Sequence, residues 1–322
     1  MLGLAFEFVN GFHDAANAVA TVIATRVLPP LTAVLMAGAL NFLGAVSGTA
    51  VATTVGKGIV DPTAVTQATV VAGLLAAIVW DLITWYFGIP TSSSHALLFG
   101  VLGAGVATAG LKVVVLDGVT KTGIGIFYSP LIAMAAAALV LVAVYWLSHR
   151  QTPSWVSATF GRLQLLSSVY MAFSHGSNDG QKTMGVIALA LFTYGALGSE
   201  FYVPLWVIGT CALAMAVGTA AGGWRIIRTM GFHLTDLRPI EGFAAETAAG
   251  TVIEVATRLG VPISTTHAIN GAIIGVGSVR NPRRVKWQTA GRIVVAWVLT
   301  FPGAFAFGWG FVVAARALGL MS

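Results

Sequence analysis

Two short segments of this 322-residue chain place carboxylate, amide and imidazole groups together inside otherwise apolar stretches. They are FVNGFHDAAN at residues 8 to 17 and FSHGSNDGQK at 173 to 182, which match Phe8 with Phe173, Gly11 with Gly176 and Asp14 with Asp179. A centrally placed Asp costs about 2.5 to 3.5 kcal/mol in a bilayer even on a lenient insertion scale, so both carboxylates must face protein or water. Asn10, Gly11 and Asn17 in one segment, and Gly176, Asn178 and Gly180 in the other, are poor helix formers. That predicts a local unwinding that frees carbonyl oxygens. Carboxylates with freed carbonyls form an oxygen-rich site for a cation or a proton, the alternative being that each Asp only caps a half-helix. The candidates are Asp14, Asp179, Asn17, Asn178 and His13, an imidazole that titrates near neutral pH and whose counterpart is Asn178.

A second pair of segments has a different chemistry. GIPTSSSHA at 88 to 96 returns as GVPISTTHA at 260 to 268, and the downstream Gly103 and Gly105 return as Gly275 and Gly277. Gly followed by Pro stops a helix. The hydroxyls after it, Thr91, Ser92, Ser93 and Ser94 matched by Ser264, Thr265 and Thr266, read as the start of a new one. Backbone N–H groups and the positive end of the dipole at such a start favour an anion. Two starts meeting would surround a tetrahedral oxyanion with neutral donors; the alternative is hydroxyls that bond helix to helix. His95 and His267 read as hydrogen-bonded spacers common to both motifs. Lys182 could pair with Asp179 or meet the anion directly. Glu7, Asp81, Glu246 and Glu254 read either as relay carboxylates or as buried partners of Lys and Arg.

The elements that carry these residues follow from composition. The chain is 57% hydrophobic and only 9% charged, where a soluble domain has about 25%, and its mean hydropathy is +0.87. Its main solvent must be lipid, and lipid-spanning backbone of this length pattern is helical. The fold class expected is all-α, a polytopic transmembrane helical bundle. Ten crossings are predicted: 1 to 24, 31 to 55, 63 to 87, 91 to 110, 124 to 148, 163 to 192, 203 to 222, 240 to 258, 262 to 280 and 288 to 318. With residues 149 to 162 cytoplasmic, that side receives Arg26, Arg150, Arg162, Arg225, Arg228, Arg238, Arg280, Arg283, Arg284, Lys286 and Arg292. The other side receives only Lys57, Lys112, Lys121 and Arg258.

Five crossings per half force the second half to enter from the opposite side, so the repeats are inverted. The organisation expected is residues 1 to 150 as a first transmembrane repeat, 151 to 162 as a cytoplasmic connecting loop and 163 to 322 as a second, inverted repeat. Inverted repeats place substrate and ion sites at their interface, near the bilayer centre. The net charge of +6 lies in short loops rather than along one stripe, which argues for membrane orientation and against nucleic acid. Cys211 sits in an apolar window and is expected to pack. The apolar start, without a preceding basic region or a small-residue cleavage site, gives no sign of a removable signal peptide. There is no HExxH and no GxSxG, so an intramembrane enzyme is a distant alternative, as is an ion channel.

The four motifs also resemble those of the inorganic phosphate transporter (Pit) family of secondary carriers. GFHDAANAVAT at 11 to 21 looks like the family's first signature, usually written with GANDxAN, and HGSNDGQK at 175 to 182 looks like its second. PTSSSHA and PISTTHA are similar to its paired hydroxyl-His motifs, so the resemblance spans nearly the whole chain. It implies a multi-pass protein of the cell (inner) membrane that imports phosphate by symport and is not an enzyme. It further implies Asp14 and Asp179 as coupling residues and the hydroxyl runs as phosphate ligands, to which the residue reading adds Lys182. His13 stands where sodium-coupled members commonly have Asn, and this departure favours co-transported H+ over Na+; with sodium, Asp14 and Asp179 would be its ligands. No cofactor is expected. Sulfate is the rival substrate. Whether phosphate enters alone or as a metal-phosphate complex, and whether the carrier forms a homo-oligomer in the lipid bilayer, stays open.

Overall fold

The computed structural model describes residues 1–321, and these are all-helical apart from loops and one isolated bridge between Val60 and Val114. In chain order the helices are α1 (Leu2–His13), α2 (Ala15–Ala24), α3 (Pro30–Ala45), α4 (Ala50–Gly58), α5 (Gln67–Phe87), α6 (Ser93–Ala109) and α7 (Leu116–Ser148). They continue with α8 (Pro153–Thr193), α9 (Leu205–Ala221), α10 (Trp224–Phe232), α11 (Pro239–Arg258), α12 (Thr265–Arg280) and α13 (Trp287–Ala317). Helices α5, α7 and α13 are each long and apolar enough to cross a membrane. The pairs α3–α4 and α9–α10 qualify together but bend by 71° and 67°.

The repeat seen in the motifs extends to the packing. Helix α6 lies against α13 and α12 against α7, while α3 lies against α8 and α9 against α1. The hairpins α5–α6 and α11–α12 are thus each clasped by the last helix of the other half, and the halves interleave rather than sit side by side. Pro130 within α7 and Pro302 within α13 are spaced like the hydroxyl motifs, 172 residues apart. Each hairpin turns at a left-handed glycine, Gly88 with φ 65° and Gly260 with φ 66°, a conformation that costs a residue with a Cβ. Proline two residues on keeps the chain from resuming the helix at once.

Three expectations need correction. The segment 151 to 162 is not a connecting loop: Pro153 opens α8, capped by Thr152, whose Oγ1 accepts from the Trp155 amide at 3.3 Å. Threonine at the N-cap and proline at the first helical position are sufficient to start a helix there.

The second correction concerns the predicted unwinding, which is confined to one residue. The chain turns at Asp14, between α1 and α2, but α8 runs unbroken through 173 to 182. The glycines serve close packing instead. A Cβ at Gly11 would strike the Met215 backbone on α9, and one at Gly176 the Asn41 backbone on α3.

Finally, not all ten predicted crossings are full, straight spans. Residues 31 to 55 are split by the α3–α4 bend, and α6 and α12 have 17 and 16 residues. At 1.5 Å per residue these two helices fall short of a hydrocarbon core about 30 Å thick, because they start inside the protein at the hydroxyl motifs.

The basic segments before α11 and after α12 meet. Arg280 Nη1 donates to the Asp236 carbonyl at 2.9 Å and Lys286 Nζ to the Phe232 carbonyl at 2.9 Å. Arg238 and Arg280 both engage the buried Glu241, at 2.5 and 3.6 Å.

Candidate functional site

The tips of the two hairpins meet the two Asp motifs at one buried centre. Asp14, Asp179, Ser93, Thr265, Thr266, Asn17 and Lys182 are all at most 2% exposed. Asp14 follows the last turn of α1, and its Oδ1 lies 2.6 Å from His13 Nδ1. Ser93 Oγ at the start of α6 donates to the same oxygen at 3.1 Å, and Thr266 Oγ1 of α12 donates to Oδ2 at 3.3 Å. Asp14 is therefore held by one hydroxyl from each hairpin.

Asp179 occupies the related position on α8. Thr265 Oγ1 donates to its Oδ2 at 2.8 Å, and His175 Nε2, one helical turn earlier, lies 3.3 Å from that oxygen. Lys182, on the same face of the helix, donates to Asp179 Oδ1 at 2.5 Å, to Ser94 Oγ at 2.5 Å and to the Ile263 carbonyl at 2.6 Å. An ammonium has three N–H donors. All three are engaged by protein oxygens, so Lys182 offers none to an anion in this conformation.

The centre is shared by both halves. Asn17 of α2 donates across to Thr265 Oγ1 at 3.2 Å and Thr266 Oγ1 at 2.9 Å. Oxygens of Asp14 and Asp179 and a nitrogen of His175 lie within 4.8 Å of one another, a cluster able to hold a cation. Asn178 is turned away from this cluster and donates to Thr257 Oγ1 at 2.8 Å, locking α8 to α11. Its counterpart His13 makes the matching link in the first half, with Nε2 3.0 Å from Thr84 Oγ1 of α5. Thr91 Oγ1 donates to Thr84 Oγ1 at 3.0 Å and extends that chain of polar contacts.

Ser92 and Ser264 act as N-caps, accepting from the His95 amide at 3.4 Å and the His267 amide at 3.1 Å. The two histidines that follow meet edge to face at 4.5 Å between centroids, and His267 also stacks on Trp297. Their rings pack the hairpins together; among the described residues both His95 nitrogens and His267 Nε2 lack a partner, against the hydrogen bonding expected of His95, while His267 keeps a backbone hydrogen bond to Ile126 of α7.

Three residues important to this geometry carried no clear sequence signal. Thr84 and Asn41 are single polar residues in apolar spans, and Asn41 Oδ1 lies 3.1 Å from His175 Nδ1, which orients that ring toward Asp179. His175 stood out only as one histidine of its motif. Among the described residues Glu254 alone of these additional carboxylates has a basic partner, Arg258 at 2.9 Å. Glu246 instead accepts from Thr21, Gln164 and Ser167, and Glu7 from Thr183 and Asn10. Asp81 is fully buried, and among the described residues neither of its oxygens has a hydrogen-bond partner.

Paired carboxylates and hydroxyls from the starts of α6 and α12 thus meet at one buried point within a bundle of apolar helices. Comparison with known proteins gives the family. Residues 10–308 match the model of the phosphate transporter family. The chain is 51% identical over 304 residues to a protein of Rhizobium meliloti named as a probable low-affinity inorganic phosphate transporter, covering 94% of this chain and 91% of that one. It is 41% identical to a protein of the same description in Bacillus subtilis, over 95% and 92% of the two chains. A solved structure described as the sodium-dependent phosphate transporter superposes with a TM-score of 0.90 over 98% of both chains, at 24% identity, and so shares the fold. The chain belongs to the phosphate transporter family, whose members are membrane transporters and not enzymes.

Proposed function

We propose that this protein imports inorganic phosphate across the cell (inner) membrane by symport with protons, through a centre shared by two inverted repeats, the first ending at residue 150 and the second opening with α8. The observation that carries this reading is the convergence of Asp14 and Asp179 with hydroxyls of both hairpins at one sealed point. Phosphate takes the place between the hairpin starts, with Thr91, Ser92, Ser93, Ser94, Ser264, Thr265 and Thr266 and the amides beside them as donors, the hydroxyls of Thr91, Ser93, Thr265 and Thr266 rotating away from Thr84, Asp14 and Asp179 to reach it. The nearby carboxylates favour phosphate over sulfate. Phosphate at neutral pH keeps a proton to donate to Asp, whereas sulfate has none and would face bare acceptors, an unpaired and repulsive contact.

His13 supports proton coupling, because it puts a titratable ring 2.6 Å from Asp14 and links it to Thr84 and the hydroxyl run. The sodium alternative is supported by a separate observation, the cluster of Asp14, His175 and Asp179. Uptake of radiolabelled phosphate into proteoliposomes under an imposed pH gradient, and then under a sodium gradient, decides between them. Accumulation driven by the pH gradient without sodium, competed by phosphate and not by sulfate, is the expected result. Accumulation that requires a sodium gradient would transfer the reading to sodium, and equilibration without accumulation would remove symport.

A further inference from the structure

The two halves of the centre differ at one position. Three residues after each Asp, a side chain reaches to the hydroxyl motif of the opposite half: Asn17 to Thr265 and Thr266, and Lys182 to Ser94. The first is a neutral amide. The second carries a full positive charge, is 2% exposed, and is caged by a carboxylate oxygen, a hydroxyl and a backbone carbonyl at 2.5 to 2.6 Å. Oxygens of these three kinds are the ligands a hard cation selects. The partners of Asp14 are His13, Ser93 and Thr266, so among the described residues no ammonium or guanidinium occupies the equivalent place.

We propose that Lys182 is a tethered cation whose ammonium permanently fills the cation position of the second half, leaving only the position at Asp14 to an ion that travels. This rests on reading the Asp pair as the coupling site. It makes the lysine neither a phosphate ligand nor a packing residue, but the determinant of how many cations accompany each phosphate. A neutral residue at 182 would leave Asp179, Thr265, Ser94 and the Ile263 carbonyl as an open oxygen cage for a soluble monovalent cation.

The test is Lys182→Asn, which copies Asn17 into the second half, purified beside the wild type in choline, sodium and ammonium chloride. Radiolabelled sodium binding should show one additional ion per protein in the variant. Its thermal transition should rise with sodium or ammonium concentration more steeply than that of the wild type, as expected of a ligand bound only by the folded state. Phosphate uptake in choline should fall on the order of a hundredfold, because a buried carboxylate has lost its partner, and should recover when sodium or ammonium is added. Asp179→Asn/Lys182→Asn should lose the additional ion. A variant that folds without gaining an ion, one that no cation returns to a folded state, or a double variant that keeps the additional ion would each overturn the proposal. Wild-type uptake is measured alongside: its absence would sink the phosphate reading, whereas sodium binding by the variant tests the tethered cation without reference to substrate.

Discussion

Asp14→Asn and Asp179→Asn remove the same charge from related positions, yet they should fail differently. Asn is close to Asp in volume, so each change mainly alters hydrogen bonding and charge. At Asp14 the loss falls on hydroxyl donors that can rotate, Ser93 and Thr266, and on His13. Weakening charge-assisted bonds of this kind costs about 1.5 to 3 kcal/mol. At Asp179 the change leaves the Lys182 ammonium buried among neutral acceptors, Ser94, a backbone carbonyl and the new amide oxygen, with no counter-charge. Removing one member of a buried pair costs about 3 to 5 kcal/mol. Asp14→Asn is therefore expected to stay folded and to keep phosphate exchange, in which a carrier shuttles loaded without releasing its coupling ion, while losing accumulation driven by a proton gradient. Asp179→Asn should lose accumulation and exchange together and should unfold at lower temperature. Both activities are measured in proteoliposomes for both variants, with thermal unfolding monitored in detergent. The same pattern of loss in the two, with equal thermal shifts, would mean that the Asp residues act as one symmetric unit and that the Lys182 pairing does not divide their roles.

Ser93→Ala and Thr265→Ala, which remove donors to Asp14 and Asp179, should weaken apparent phosphate affinity in uptake kinetics by about tenfold, the equivalent of about 1.4 kcal/mol; unchanged affinity in both single variants and their combination would discard the anion site. Ser92→Ala and Ser264→Ala remove helix caps, and each should lower stability by about 1 kcal/mol, visible as a thermal shift, besides weakening affinity. His13→Asn should change the pH dependence of uptake at matched expression, and an identical pH profile would take His13 out of proton coupling. Gly176→Ala should destabilise the protein by about 1 to 3 kcal/mol without any direct contact with the site, since its methyl group would strike the Asn41 backbone; wild-type stability would show that α3 and α8 are not held at that distance.

Asp14, Asp179 and the hydroxyl runs were legible because each is costly in an apolar segment, and their recurrence in order made a chance origin untenable. The role of the glycines was not legible in the same way. Gly11 and Gly176 carry no signal that separates an unwound backbone from a close helix contact, because both uses depend on the missing Cβ, and only the partner helix tells them apart. Thr84 and Asn41 could not be found, since a single Thr or Asn in an apolar span is common and their importance comes from His13 and His175 across the fold.

By itself the sequence determined a helical membrane protein with two matched halves, since hydropathy, Gly-Pro breaks and hydroxyl caps act over a few residues and are written in local order. Tertiary structure decided how those halves meet. It set Ser93 of one hairpin and Thr266 of the other on a single carboxylate, and it gave the three donors of Lys182 to Asp179, Ser94 and the Ile263 carbonyl. Apart from the Lys182–Asp179 pair, three residues apart on α8, these contacts join residues far apart in the chain. Their pairing is fixed by the close packing of whole helices against one another, for which no neighbouring residue in the sequence supplies a cue.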